Sequence, residues 1–331
     1  QNATSFVLYT NRVSSELDKI LEGRENFKIK ILRFPFLWTQ IRLSLEMFFS
    51  PPDALFIPAH ILPLIYPKNS VVMVHGLEYE RLPDCYPFFF RRYLRMATKF
   101  SCRTAAKIIV PSESTKRDLI EFYGVSPEKI SVVYHGFEIP VIPAKKTIAF
   151  LLREPFFLHI GRIESKKNVG GIVRAFEIFK EKYGLPHKLI LLGGGGFGAE
   201  QIKDAVQKSK LADDVCFGGY VSSETKDIFL KKAAAFLFPS FYEGFGLPIL
   251  EAQSAGVPVL TSNLSSMPEV AGEGGALFVD PKNVDEIAEK MYKIVSDKNL
   301  RENLIKNGFE NVKKFSWKKC AQETLKIVSS L

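Results

Sequence analysis

An α/β protein built from two parallel-sheet domains is what this sequence predicts, and three observations carry that expectation. Short apolar runs alternate with amphipathic segments along almost the whole chain, the pattern of strand-helix-strand units in parallel sheets. The alternation breaks between Phe137 and Pro155, where Pro140, Pro143 and the pair Lys145 and Lys146 mark a connection. The 331 residues, 46% of them hydrophobic, suffice for two cores. The expected divisions are a first domain over 1–140, a linker over 141–154, a second domain over 155–314 and a closing helix over 315–331.

Bulk properties narrow the function classes. No apolar run approaches the roughly 18 to 20 residues of a membrane-spanning helix, and the start carries no signal-peptide pattern, so a cytoplasmic protein is the expectation. Cys85, Cys102, Cys216 and Cys320 are scattered, without C-x-x-C pairs or nearby His at metal spacing, and read as reduced and structural. A net charge of +9 suits an acidic partner: nucleotide-sugar phosphates, anionic lipid or nucleic acid. Charge alone does not choose among them.

In the first half, Phe6 to Thr10 reads as a strand, Ser14 to Leu21 as a short helix capped by Ser14 or Ser15, and Lys28 to Phe34 as a second strand. Leu37 to Phe49 has helical spacing and stops before Pro51. Two buried strands follow, Ala54 to Ile57 and Val71 to His75, delivering His60 and His75 near their carboxyl ends. Ligands of open parallel sheets bind outside those ends, although a hydrogen-bonded loop histidine is the commoner occurrence. Residues 87 to 107 interleave Phe88, Phe89, Phe90, Tyr93, Leu94 and Met96 with Arg91, Arg92, Arg95, Lys99, Arg103 and Lys107. That mix suits a helix on an anionic membrane surface, or equally one packing its aromatic side inward and solvating its arginines. Nucleic acid is disfavoured, since no recognition motif accompanies the charge. Lys107 to Pro111, a helix capped by Ser112 or Ser114, and Lys129 to Tyr134 extend the sheet.

The second half opens with the strand Phe156 to Ile160, then Gly161, with Arg162 and Lys167 in the loop before a helix near Val169. Two cations at a strand's carboxyl end suit a diphosphate, Arg as a planar fork and Lys as a point charge, whereas alone they would be two solvated surface charges. Residues 188 to 198 form a strand and a glycine loop that fits G-x-G-x-x-G at Gly193, Gly195 and Gly198. The acidic residue a dinucleotide site requires is missing from the next strand, Val215 to Tyr220, so Gly193 and Gly194 are placed beside a nucleotide, with its base near Tyr220 and Val221. A helix starting at Ser222 leads to the apolar run Ala233 to Phe238, a glycine-rich turn, and a helix over Pro248 to Ala255. Gly244 and Gly246 let backbone N–H groups approach a ligand, and that helix N-terminus favours an anion. Val257 to Thr261 and Ala276 to Asp280 are strands, and Asn283 to Ser296, Asn299 to Phe315 and the tail are helices.

Glu243 precedes the glycines and Glu251 lies eight residues on, one turn into the helix. Beside an anion site, carboxylates do not hold phosphate but accept hydrogen bonds from sugar hydroxyls. The stretch from Glu243 through Gly244, Phe245, Gly246 and Leu247 to Glu251 resembles the E-x7-E signature of retaining GT-B glycosyltransferases of family 4. V-M-V-H-G-L-E-Y-E-R-L-P around His75, the Ile108 to Leu119 run, G-R-x-x-x-x-K-N from Gly161, and P-E-V at Glu269 resemble the same family, from about residue 54 onward. The resemblance implies a GT-B fold, two Rossmann-like domains facing a central cleft, with the tail helix crossing back to the first. It implies that Glu243 and His75 meet the donor sugar, that Glu251 meets the ribose, and that Arg162 and Lys167 hold the diphosphate in place of a metal. Gly76 stands where the family usually has Asp, removing a polar contact on the acceptor side, where Arg91, Arg92 and Arg95 also fall. The strand at Phe6 is usually the second in that family, so an initial strand and glycine loop are expected ahead of Gln1.

The implied activity is transfer of a hexose with retention, without a cofactor or metal, to a glycan or lipid-linked acceptor. The first choice of donor is GDP-mannose, because the His75 and Glu243 contexts look most like bacterial mannosyltransferases of surface polysaccharide synthesis. UDP-glucose and UDP-N-acetylglucosamine stay open, as do an epimerase or hydrolase of the same fold, a catalytically silent nucleotide-sugar-binding subunit and, resting only on Gly193 to Gly198, an NAD-dependent oxidoreductase. The expected place is cytoplasmic, peripheral to the inner face of the membrane if the basic aromatic helix docks there.

Overall fold

A computed structural model describes residues 4–138 and 154–331. The linker, but for Glu154, and the short helical stretch before it fall outside them.

The first domain begins with β1 (Phe6–Thr10), α1 (Ser15–Leu21) and β2 (Phe27–Ile31), and the two strands pair in parallel as a separate two-stranded sheet. Ser14 caps α1, its hydroxyl accepting from the Leu17 N–H. The helix expected over Leu37 to Phe49 starts two residues later and opens with a π-helical turn over Thr39–Leu43 that runs directly into α2 (Ser44–Phe49). Leu37 has φ of 46°, a left-handed conformation that cannot begin a right-handed helix, and the Trp38 indole donates to the Leu32 carbonyl at 2.6 Å.

Next come β3 (Leu55–Ile57), β4 (Ser70–Met73), α3 (Glu78–Arg81), α4 (Phe88–Thr104), β5 (Lys107–Val110), α5 (Glu113–Tyr123) and β6 (Ile130–Val132). The four strands lie side by side in chain order, all parallel. Val71, Val72, Ile108 and Ile109 are fully buried on both faces, as continuous β-branched runs of a covered parallel sheet require. β4 ends at Met73, so His75 sits in the loop beyond it.

The second domain runs β7 (Phe156–Ile160), α6 (Val169–Tyr183), β8 (Lys188–Leu192), α7 (Ala199–Gln207), β9 (Val215–Gly219), α8 (Ser223–Lys232), β10 (Ala235–Phe238), α9 (Leu247–Ser254), β11 (Val259–Ser262), α10 (Met267–Ala271), β12 (Leu277–Val279), α11 (Val284–Ser296) and α12 (Lys298–Val312). Its six parallel strands are ordered β12-β11-β10-β7-β8-β9. The order reverses between β7 and β10, so loops leaving their carboxyl ends turn apart and open a crevice there. Topology thus sets the Arg162 and Glu243 loops side by side. The last helix, α13 (Trp317–Ser329), lays Cys320, Ile327 and Val328 against Val71, Met73, Ile109 and Val133 of the first domain. Both halves are Rossmann-like.

Candidate active site

The loop after β7 turns at Gly161 and forms a short 3-10 turn over Ser165–Lys167, which projects Lys167 across the crevice. Lys167 Nζ lies 2.6 and 2.7 Å from the two carboxylate oxygens of Glu243, and 5.4 Å from the centre of the Phe238 ring. Both partners are largely buried. Such a pair persists because each charge compensates the other; separating them without a new partner for each would be costly. Arg162, five residues earlier, is 68% exposed and among the described residues makes only a long contact of 3.9 Å to Glu164, so its guanidinium fork stays available.

The Glu243 backbone is held separately from its side chain. Ser265 and Ser266 donate to its carbonyl at 2.5 and 2.9 Å, and Ser266 also donates to the Phe245 carbonyl at 2.5 Å. Gly246 caps α9, leaving the helix N-terminus at Leu247 beside the loop. Glu251, on α9, accepts from Lys226 of α8 at 2.6 Å. Sequence reasoning missed Lys226, because the contact joins two helices.

The glycine loop after β8 is knitted to the loop after β7: Ile163 N–H donates to the Gly194 carbonyl, and Gly196 N–H returns to the Ile163 carbonyl, each at 2.9 Å. A Cβ at Gly193 would lie 1.9 Å from the Gly161 carbonyl oxygen, whereas one at Gly194 would meet nothing within 4 Å. Gly193 therefore serves close backbone packing, and Gly194 faces open space. This packing gives Gly193 and Gly196 a role without any dinucleotide. Tyr220, 90% exposed, follows the edge strand β9, with Val221 against the core. That edge is two strands away from the Lys167–Glu243 pair.

Polar atoms at the strand ends add to the site. His159 donates from Nδ1 to the Leu237 carbonyl at 2.9 Å, which leaves Nε2 unprotonated, buried and without a hydrogen-bond partner among the described residues. Burial pushes this histidine down to about 4, opposed by the Leu237 carbonyl and assisted by Lys167. Ser240 Oγ, just past β10, is also buried without a partner among those residues. Lys166, next to Lys167, is a third cation: burial disfavours its charge, but Tyr86, Glu78, Glu164 and Glu243 hold its ammonium above the ordinary value. Its place in the loop's Lys-Lys pair was the available signal.

At His75 and Gly76 the first domain meets the Glu243 loop through backbone. A Cβ at Gly244 would lie 1.7 Å from the His75 carbonyl oxygen, and one at Gly76 would lie 3.1 Å from Gly244 Cα. The His75 ring is engaged elsewhere. Nε2 is 2.6 Å from the Pro58 carbonyl, which only accepts, so Nε2 carries the proton; Nδ1 faces His135 Nε2 at 3.4 Å. His60 stands on the other side, its ring centre 5.4 Å from that of His75. His60 and His135 are both pushed down to about 4 by burial and then by His75.

The arginines of α4 divide. Arg91 donates to the Tyr79 carbonyl at 2.9 Å, and Arg95 pairs at 2.9 Å with Glu80, a buried carboxylate. These two brace the domain, while Arg92 is exposed. Phe88, Phe89, Phe90, Tyr93 and Met96 are exposed too, Phe89 by 84%, so the aromatic side of this helix is not packed inward. A separate surface pocket lined by Asn11, Arg12, Arg33, Phe34 and Pro35 shares no residue with the loops around Glu243.

A crevice at a strand-order reversal, a Lys–Glu pair inside it and a second Rossmann-like domain closing over it define a protein of the GT-B class. The chain belongs to the group 1 glycosyltransferases: the family described as glycosyl transferases group 1 matches residues 143–311, and glycosyltransferase family 4 matches residues 8–139. It is 30% identical over 265 residues to the O-antigen chain mannosyltransferase B of Escherichia coli, covering 78% of this chain and 69% of that protein. It is also 30% identical over 222 residues to the O-antigen chain mannosyltransferase RfbU of Salmonella typhimurium, covering 67% of this chain and 59% of that one. The fold matches that of Anabaena HepE, solved with UDP-glucose, at a TM-score of 0.75 over 98% of this chain and all of the other, with 16% identity. The protein is a glycosyltransferase, and no helix among the described residues is long and apolar enough to cross a membrane.

Proposed function

We propose that this glycosyltransferase moves mannose from GDP-mannose, with retention and without a metal, to a glycan or lipid-linked acceptor of surface polysaccharide synthesis. The observation that carries the reading is the Lys167–Glu243 pair at the strand-order reversal, with exposed Arg162 beside it. The mannosyl choice is supported by the names of the two relatives. Donor binding trades partners: the diphosphate takes Lys167 and Arg162, and Glu243, released, accepts hydrogen bonds from sugar hydroxyls. Glu251 does the same for the ribose once Lys226 yields. The two cations and the α9 N-terminus then stabilise the charge that grows on the leaving diphosphate. The acceptor oxygen bonds to the anomeric carbon on the face from which the nucleotide departs, the carbon–oxygen bond to phosphate breaks, and a donor phosphate oxygen takes the acceptor's proton. His75 shapes the sugar pocket through its backbone, its ring being bound to Pro58 and His135.

We also place the acceptor's membrane on the aromatic face of α4. Phe88, Phe89, Arg92, Met96 and Arg103 of that helix are exposed, as are Phe48 and Phe49 of α2, and the Gln40–Tyr93 hydrogen bond of 3.2 Å ties the turn before α2 to α4. Exposed aromatics interleaved with cations match an anionic lipid surface. Flotation with vesicles of phosphatidylglycerol is the check, and protein left at the bottom of the gradient at low salt would remove the surface from the proposal.

The test of the transferase reading is a titration and melting panel of GDP, UDP, GDP-mannose, UDP-glucose and NAD on wild type and Arg162→Ala. A ligand held at a hundred times its dissociation constant adds about 2.7 kcal/mol to the folded state. Selective stabilisation by GDP and GDP-mannose, weakened in the variant, is expected. Selective stabilisation by uridine nucleotides moves the donor to UDP-glucose or UDP-N-acetylglucosamine. Sugar release or isomerisation without acceptor supports the hydrolase or epimerase, binding without turnover the silent subunit, and a response to NAD alone sinks the transferase reading.

A further inference from the structure

The residue before Glu243 reaches out of its own domain. Tyr242 is buried, and its hydroxyl donates to Asp118 Oδ2 of α5 at 2.6 Å while accepting from the Leu77 N–H at 3.0 Å. Asp118 has only 3% of its side chain exposed and is held from the other side by Arg81, whose Nε and Nη2 donate to Oδ1 at 2.9 and 2.6 Å. The residue after Glu243 is fastened to the same helix: the Gly244 carbonyl accepts from Ser112 at 2.8 Å and from Thr115 at 3.3 Å. Glu269 of α10 completes the contact by accepting from the Glu113 N–H at 2.8 Å, at the α5 N-terminus. The first domain therefore grips both neighbours of Glu243, while its side chain answers to Lys167 in the second domain.

We propose that Tyr242 is a positioning residue that couples closure of the two domains to the placement of Glu243, through a latch received by Asp118 and Leu77. When the domains part, the phenol leaves a buried carboxylate and a backbone donor behind, and the loop loses the anchors on either side of Glu243. When they close, the same hydrogen bonds fix that loop against α5. Burial, and then Asp118, raise the phenol well above its ordinary value, so it stays protonated and donates throughout the working range. The catalytic consequence rests on the transferase reading; the closure itself does not.

Tyr242→Phe removes one oxygen and keeps the ring. The expected result is a fall in kcat of about ten- to a hundredfold, the size of one lost hydrogen bond to a buried charged group, with KM for GDP-mannose and the GDP dissociation constant close to wild type. Asp118→Asn retains an acceptor for the phenol and should lose less than Tyr242→Phe, and the double variant should lose less than the product of the two single losses. Small-angle scattering without any donor should show Tyr242→Phe more extended than wild type. Unchanged kcat, additive losses, a parallel loss of GDP affinity, or identical scattering curves would each overturn the latch. Absence of turnover by wild type with every nucleotide sugar would instead sink the transferase reading, and the scattering comparison would still decide the latch.

Discussion

The two sides of the cleft are built on opposite principles. The second domain presents charge held in pairs, Lys167 with Glu243 and Lys226 with Glu251, at the reversal point of an unbroken six-stranded sheet. The first domain, whose described strands form separate sheets of two and four, presents histidines, a glycine, Glu78 near Lys166 and hydrogen-bonding groups that receive the opposite loop. One side has exchangeable partners for an ionic ligand, and the other has shape. Substrate recognition and domain closure thus fall on different residues, and substitutions should separate them.

The largest separation is expected at Gly244. Its substitution by Ala puts a methyl group within 1.7 Å of the His75 carbonyl oxygen, a backbone atom with nowhere to move while the domains are closed. Transfer should fall by about a hundredfold or more, as displacements near 1 Å cost in positioned reactions. GDP should still bind, because the clash falls on His75 and Gly76 of the first domain and not on Lys167, Arg162 or Glu251. Titration beside single-turnover kinetics reads both quantities, and a variant that transfers normally would show that the close approach is not needed for the chemistry.

A smaller effect is read through pH. His60 and His135 of the first domain, and His159 of the second, are held near 4 in the folded protein, below their ordinary 6.5. As pH falls from about 6.5 towards 4, the unfolded chain takes protons that the folded chain refuses, so stability present above that window is lost across it. The melting temperature of wild type should drop through this range. His60→Asn should flatten the drop, since Asn cannot titrate and tolerates the left-handed conformation at this position, where φ is 49°. Equal slopes in the two proteins would mean that His60 is not among the groups responsible.

What the sequence made legible follows the same division. The Glu243 loop, Arg162, Lys167 and the glycine turns each lie within one strand-loop-helix unit, where local spacing places the side chains once the strands are recognised. The strand-order reversal then brings two such units together. The latch joins residues 124 positions apart and the His75–His135 contact residues 60 apart, and neither has a local pattern. Tyr242 reads as one more aromatic in an apolar loop, and Asp118 as a solvated helix residue, until the second domain lies on the first. The late, π-helical start of the helix after Leu37 has a similar origin, since Trp38 reaches back to Leu32 just past β2 and the helical spacing carries no trace of that bond.

Gly76 gives the smallest effect and the sharpest comparison. It faces Gly244 across the cleft, yet the two glycines are not equivalent: a Cβ at 76 would meet Gly244 Cα at 3.1 Å, and its next neighbours are the ends of the Glu78 and Tyr242 side chains at 3.3 Å. A shift of a few tenths of an ångström relieves that contact, whereas the contact at 244 has no such relief. Gly76→Ala should therefore cost less than about tenfold in kcat/KM, corresponding to less than about 1.4 kcal/mol. The Tyr242 ring borders the same space, so a small loosening of the latch is the route by which even this loss would arise. If Gly76→Ala proves as damaging as Gly244→Ala, the cleft closes more tightly in turnover than the distances here require, and shape on the first-domain side governs the reaction more than the charge opposite it.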